Sequence, residues 1–169
     1  MELHPAARAL RRHQRDPGPV RPAQPSPDLA WLRHPALTGL DATEWDILIT
    51  RLLTLHDTQR ESQLDKRRGH RPRFKGDGTT GRRPVLTLAD RLLAVLLHQR
   101  LGLPQTAIAR LFGVSPFTIN RRIRNIRQLL QAADHTIQPA DHQLPDLEAL
   151  HNLAASHGIT TPTEIKSAS

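Results

Sequence analysis

The stretch QTAIARLFGVSPFTINRRIRNIRQLL, from Gln105 to Leu130, leaves few folds open, because two helical periodicities meet across only Gly113, Val114 and Ser115. Ile108, Leu111 and Phe112 recur at i, i+3, i+4 and give the first segment an apolar stripe. Gly113 can take the positive φ that stops a helix. Ser115 then offers a hydroxyl as N-cap, and Pro116 stands at the first helical position, where its missing N–H is harmless. In the second segment Ile119, Ile123, Ile126 and Leu130 fall on an inner face. Asn120, Arg121, Arg124 and Gln128 project from the other side, flanked by Arg122 and Arg127. Two short helices joined by a glycine-led turn have the form of a helix-turn-helix.

The second helix carries Arg121, Arg122, Arg124 and Arg127 and no acid from Pro116 to Gln131. A solvated surface is the ordinary explanation of a charge run. Surface helices usually mix signs, however, and crowding like charges has a cost that an anionic partner would relieve. In helix-turn-helix readers the N-terminal part of the second helix enters the major groove. That places Ser115, Phe117, Thr118, Asn120, Arg121 and Arg124 to meet base edges or phosphates, with Arg122 and Arg127 beside them. The usual spacing of the motif puts an apolar residue where this chain has Arg122, the next apolar residue being Ile123.

Charge is uneven along the 169 residues: the net +8 comprises +3 over residues 1–27, +7 over 66–83 and +6 over 84–131, against −4 over 28–65 and −4 over 132–169. A basic centre favours nucleic acid, and no run of about 18 apolar residues could span a bilayer. Met1 to Arg15 has no hydrophobic signal core, and the absence of cysteine removes disulfides and thiolate metal sites. The expected location is cytoplasmic, with the nucleoid. With 14 prolines, 3 phenylalanines and 2 tryptophans, the chain predicts modest helical cores with flexible joints.

Taken in order, residues 1–27 read as a mobile basic arm followed by a proline-rich linker in which no chemistry is expected. Residues 28–66 hold an amphipathic helix, with Thr43 as cap, Glu44 and Asp46 in the first turn, and Trp45, Leu48, Ile49, Leu52, Leu53 and His56 on one face. It should run to about Asp65, and its stripe must dock on the helix-turn-helix core or on a second copy in a homodimer. Residues 67–84 form a glycine-rich basic loop in which Arg67, Arg68, Arg71, Arg73, Lys75, Arg82 and Arg83 could grip the backbone or a narrow minor groove. RGHRPR is a loose version of an AT-hook core, and a solvated linker explains it equally well. Leu86 to Leu103 reads as a buried central helix with Asp90 in its first turn, Arg100 near its end and Gly102 closing it. Residues 85–132 are thus the trihelical domain. Over residues 133–169, Leu147, Leu150, Leu153 and Ala154 predict a short helix closed by Gly158, and Ile159 to Ile165 a strand that should fray. The fold class is all-α.

Metal and nucleotide chemistry find little support. His151 and His157 lie off one helical face, His135 and His142 sit in a polar joint, and solvated histidines are the better reading. Asp141, Asp146 and Glu148 read as loop and first-turn residues, and GDGTTG lacks the ending of a phosphate loop. No cofactor, metal or small-molecule ligand is expected.

HPALTGL, the arginine-rich loop, DRLLAVLLHQRLGLP followed by ARLFGVSPFTINRRIR, and LPDLEALHNLAASHGI together resemble the N-terminal DNA-binding portion of bacterial insertion-sequence transposases of the DDE superfamily. The resemblance spans about residues 34–165. In that family the strand after the late helix carries the first catalytic aspartate, whereas this chain reads Thr161-Pro162-Thr163-Glu164-Ile165. Two-metal strand transfer needs a carboxylate cluster, so the resemblance implies recognition of duplex, terminal-repeat-like DNA without catalysis, by a truncated or repurposed recognition half. The alternatives are a dimeric helix-turn-helix regulator, the first part of a transposase completed by frameshifting or a second chain, and a basic interaction module with no DNA role.

Overall fold

The computed structural model describes residues 23–68 and 86–162. Among them are six α-helices, one 3-10 helix and no strand. None of these helices is long and apolar enough to cross a membrane.

The described end of the proline-rich run, residues 23–27, is held in place where the sequence suggests only a linker. A 3-10 helix at Pro27–Arg33 buries Leu29 and Leu32, and α1 (Pro35–Thr38) follows, its cap His34 accepting the Ala36 N–H at Nδ1. Just ahead of them, Ser26 donates from its amide to Asp90 Oδ1 at 2.7 Å and from its hydroxyl to Oδ2 at 2.5 Å. Gln24 accepts from the Thr87 hydroxyl at 2.9 Å. The end of the proline-rich run is therefore clamped to the start of the central helix; residues 1–22 lie outside the described structure.

Helix α2 (Ala42–Arg68) starts one residue before the expected cap. Asp41 caps it instead of Thr43: Asp41 Oδ1 accepts the Glu44 N–H, and Glu44 returns the bond to the Asp41 N–H, a reciprocal capping box. Trp45, Leu48, Ile49 and Leu52 are buried, with Leu53 and His56 half-buried. Their stripe packs on this chain's own central and recognition helices. Arg33 covers the Trp45 ring at 5.5 Å while pairing with Asp46, and Arg51 donates to the Ala133 carbonyl. The Trp45 face is thus occupied within the monomer, and the exposed apolar side chain of α2 near it is Ile47 on the opposite side. Residues 57–67 are exposed, so the far half of the helix extends past the core, and Arg67 and Arg68 continue it instead of opening a loop.

Helix α3 (Leu88–Gln99) is the hub. Thr87 and Asp90 form a second capping box, and Leu88, Ala89, Leu92, Leu93, Ala94, Val95, Leu96 and Leu97 are all buried. The helix is shorter than its apolar run, because Leu86, Leu101 and Leu103 are buried from non-helical backbone. Packed against it are α4 (Gln105–Phe112) and α5 (Pro116–Ala132), which complete the trihelical core. Downstream, Ala140 donates to the Arg100 carbonyl and Leu144 to that of Leu101, tying the polar segment across the end of α3. Helix α6 (Leu147–Ser156), capped by Asp146, then returns against α4, and His151 stacks on Trp31 at 5.6 Å. His151 is therefore a packing residue, not a freely solvated one. The expected strand does not form over 159–162: Ile159 and Thr161 are buried there, and 163–165 lie outside the described residues.

Candidate nucleic-acid interface

The turn between α4 and α5 is built from local chemistry. Gly113 adopts φ +69° and closes α4, with the Val114 N–H donating to the Ala109 carbonyl at 3.0 Å. Ser115 Oγ accepts the Thr118 N–H at 3.2 Å and also lies 2.9 Å from the Thr118 hydroxyl. Pro116 occupies the first helical position, so only three residues separate the end of α4 from the start of α5. Ile108, Ala109 and Phe112 from α4 and Ile119, Ile123, Ile126, Leu129 and Leu130 from α5 are buried. That packing fixes which side of α5 faces outward.

On the outward side, at about 100° per residue, Phe117, Asn120, Arg121, Arg124 and Gln128 fall within one narrow arc. All five are exposed, and Phe117 is 78% exposed. Arg127 is exposed at the edge of the arc, and Thr118 is half-buried. Asn120 donates to Gln105 Oε1 at 2.9 Å and accepts from Arg124 at 3.5 Å, so a polar chain runs from the start of α4 along the front of α5. The side chains of Arg121 and Arg127 make no hydrogen bond or ion pair with any described residue. The face therefore offers free guanidinium groups and an aromatic edge over a rigid apolar base.

Ser115 caps α5 as expected, and two sequence expectations need correction. Arg122 does not share the outward arc; it lies about 100° away, near Leu129, and is half-buried beside α3. Arg67 is exposed at the far end of α2, and the backbone of Arg68 is helical, so neither belongs to a loop. Arg71, Arg73, Lys75, Arg82 and Arg83 lie outside the described residues.

Arg91, which the sequence reading passed over, stands one residue beyond the capping Asp90. Burial, and then the positive charge of Arg122, lower its pKa from the ordinary arginine value to about 10, against a smaller opposing effect of Asp90. Its Nε is buried without a hydrogen-bond partner. The sequence signal was the polar residue at position 122, where the motif wants an apolar one. Among the described residues, no group of three or more His, Asp or Glu side chains is placed to hold a metal ion.

A short α4, a tight glycine turn and a cationic α5 held against a central helix define a helix-turn-helix domain. Residues 84–133, covering α3 to α5, match the family model described as helix-turn-helix of DDE superfamily endonuclease. This is the family whose DNA-binding portion the sequence resembles. No curated protein and no solved structure matches the chain.

Proposed function

We propose that the chain binds duplex DNA by seating α5 in the major groove, as the recognition unit of a transposase-like system that bears on terminal-repeat-like sequence. The carrying observation is the outward arc of α5, where Arg121 and Arg124 stand exposed beside Asn120 and Phe117 with no carboxylate on the helix. Arginine pairs bidentately with guanine and asparagine with adenine, which gives this arc the chemistry of base readout. The helix-turn-helix match over residues 84–133 supports the same reading. Recognition is the role assigned to these residues; strand cleavage is not.

Selection of bound sequences from random duplexes, followed by footprinting on the winner, tests it. Arg121→Ala and Arg124→Ala should each weaken the selected duplex by about 1–3 kcal/mol and leave random duplex much less affected. Equal loss on both duplexes, or binding no stronger than to heparin at moderate salt, would remove the readout.

A further inference from the structure

Helix α2 leaves two features unexplained by its own chain. The first is its outer face, where Thr43, Ile47, Thr50 and Thr54 stand exposed in one row and, with Asp46 and Arg51, border an open groove of about 710 Å³. Ile47 is 61% exposed. A solvated helix face is ordinarily filled by Ala, Glu, Lys or Arg, and β-branched residues lower helix propensity there unless something packs on them. Thr54 and Thr58 turn their hydroxyls back to the Thr50 and Thr54 carbonyls at 3.1 and 2.9 Å, so covering them strands no donor. The second feature is the far half of the helix. Residues 57–67 are exposed on every side. A helix of that length is marginal in water without a partner. Over residues 58–68 it nets +2, with Arg60, Lys66, Arg67 and Arg68 outweighing Glu61 and Asp65.

We propose that α2 is a self-association surface, pairing antiparallel with α2 of a second copy about a two-fold axis between Leu48 and Ile49. The row is self-complementary in that register: Ile47 meets Thr50 of the second copy, and Thr43 meets Thr54. Glu44 falls on the same flank as the second copy's Arg51, an opposite charge. Both keep an end free for it, since Glu44 spends only Oε2 on the Asp41 amide and Arg51 only Nη1 on the Ala133 carbonyl. The same register carries the cationic far half over the start of the second copy, where Asp28, Asp41, Glu44 and Asp46 outweigh Arg33 for a net −3 over residues 28–46. Parallel pairing would instead set Lys66 and Arg67 against their own copies. The Trp45 stripe stays with its own core, so the dimer adds to the monomer fold without replacing any of it. One helix face a side is less than a standard interface, so association is weak and reversible. The pairing stands whether or not α5 reads DNA.

Sedimentation equilibrium of the full chain at low salt should show monomer and dimer exchanging with concentration, and added salt should weaken the dimer several-fold. Ile47→Lys should weaken it about tenfold or more and leave the melting temperature of the dilute protein level, since Ile47 is exposed in the monomer. Lys66→Glu with Arg67→Glu should weaken it as well, most at low salt. The chain has no cysteine, so introduced thiols report direction. Oxidation should join Ile47→Cys to Thr50→Cys and Thr43→Cys to Thr54→Cys. It should not join Thr43→Cys to itself, because the two copies of residue 43 lie about 16 Å apart along an antiparallel pair, beyond disulfide reach. A chain monomeric to millimolar concentration, a dimer untouched by Ile47→Lys, or ready cross-linking of Thr43→Cys to itself would each overturn the pairing. A dimer that appears only after removal of residues 1–22 would give the face to that segment of the same chain and overturn it too. If Lys66→Glu with Arg67→Glu leaves the dimer intact and weakens duplex binding, the far half belongs to DNA and its place over the second copy is lost.

Discussion

Asn120 Nδ2 donates to Gln105 Oε1 at 2.9 Å, so the first residue of α4 holds the amide best placed on α5 to read adenine. One Nδ2 hydrogen remains, and Oδ1 has only the 3.5 Å contact from Arg124. The pair orients the amide without consuming it. Gln105→Ala should cost the free protein under about 1 kcal/mol, as befits an exposed hydrogen bond, yet loosen the amide and weaken the selected duplex measurably. Asn120→Ala should cost about 1–3 kcal/mol on that duplex, and the two losses should be less than additive. Full additivity in a double-mutant cycle would show that Gln105 does not act through Asn120.

Gly113 and Gly39 both end helices at positive φ, +69° and +72°, but in different surroundings. Nothing lies within 4 Å of a Cβ at Gly113, so Gly113→Ala should cost only the left-handed backbone penalty, about 1–2 kcal/mol. A Cβ at Gly39 would meet the Arg100 guanidinium at 2.6 Å, and that group is anchored by its bond to the Gln138 carbonyl. Gly39→Ala should therefore be the more destabilising. Denaturant titrations of the two variants decide it, and the reverse order would mean that Arg100 moves aside freely.

Asp90 is fully buried and accepts three hydrogen bonds, two of them from Ser26, which stands 64 residues earlier. Asp90→Asn would present an amide hydrogen to donors, so it should cost about 2–4 kcal/mol. The bond between residue 26 and the head of α3 should also open. Limited proteolysis then reads the outcome: cleavage near residues 23–27 should come earlier in the variant, with the remaining core cut later. Simultaneous loss of both would place Asp90 in the global core and not in a local clamp.

The helix-turn-helix was legible because its signals are local. Ser115-Pro116 and Gly113 mark boundaries by backbone chemistry alone, and the isoleucine spacing of α5 names its inner face without knowledge of what packs there. The Asp41-to-Glu44 capping box was equally present in the sequence, and Thr43 was preferred over it although both residue types cap. The docking of Ser26 on Asp90 was not legible, since a proline-rich run gives the same text whether it floats or is clamped. Nor was the partner of Arg122, because helix spacing gives an angle on one helix and says nothing of the cation on its neighbour. The family signal at 84–133 covers the helix-turn-helix, and the clamped N-terminal stretch lies outside it.

Arg91 carries a pH signature. Burial and the charge of Arg122 lower its pKa from the ordinary arginine value to about 10, so folding penalises the charged form, with Asp90 opposing only in part. The penalty is present in full below about pH 10 and fades above it as the folded form releases its proton. Wild-type stability should therefore climb relative to Arg91→Met as pH rises through that window. The chain has no tyrosine and no cysteine, and its lysines and other arginines are common to both proteins and cancel in the comparison. Parallel stability curves for the two proteins would show that Arg91 is not strained.

Phe117 is the second residue of α5 and holds 78% of its surface in water. The ring contributes nothing to the apolar base, whose residues lie on the opposite side of the helix, so its removal should leave folding intact. Exposing an aromatic ring beside Arg121 and Asn120 makes sense if something apolar meets it, and within a major groove the apolar feature is the thymine methyl group. Phe117→Ala should leave the melting temperature within about 2 °C of the wild type, since surface changes rarely exceed ~0.5 kcal/mol. On the selected duplex it should weaken binding several-fold. Replacing thymine by uracil at one position of that duplex deletes the methyl and nothing else. The wild type should lose affinity at that position and Phe117→Ala should not, because the partner of the methyl is already gone. If uracil weakens both proteins equally at every thymine, the ring faces something other than a base, and the orientation assigned to the N-terminal turn of α5 would have to be redrawn.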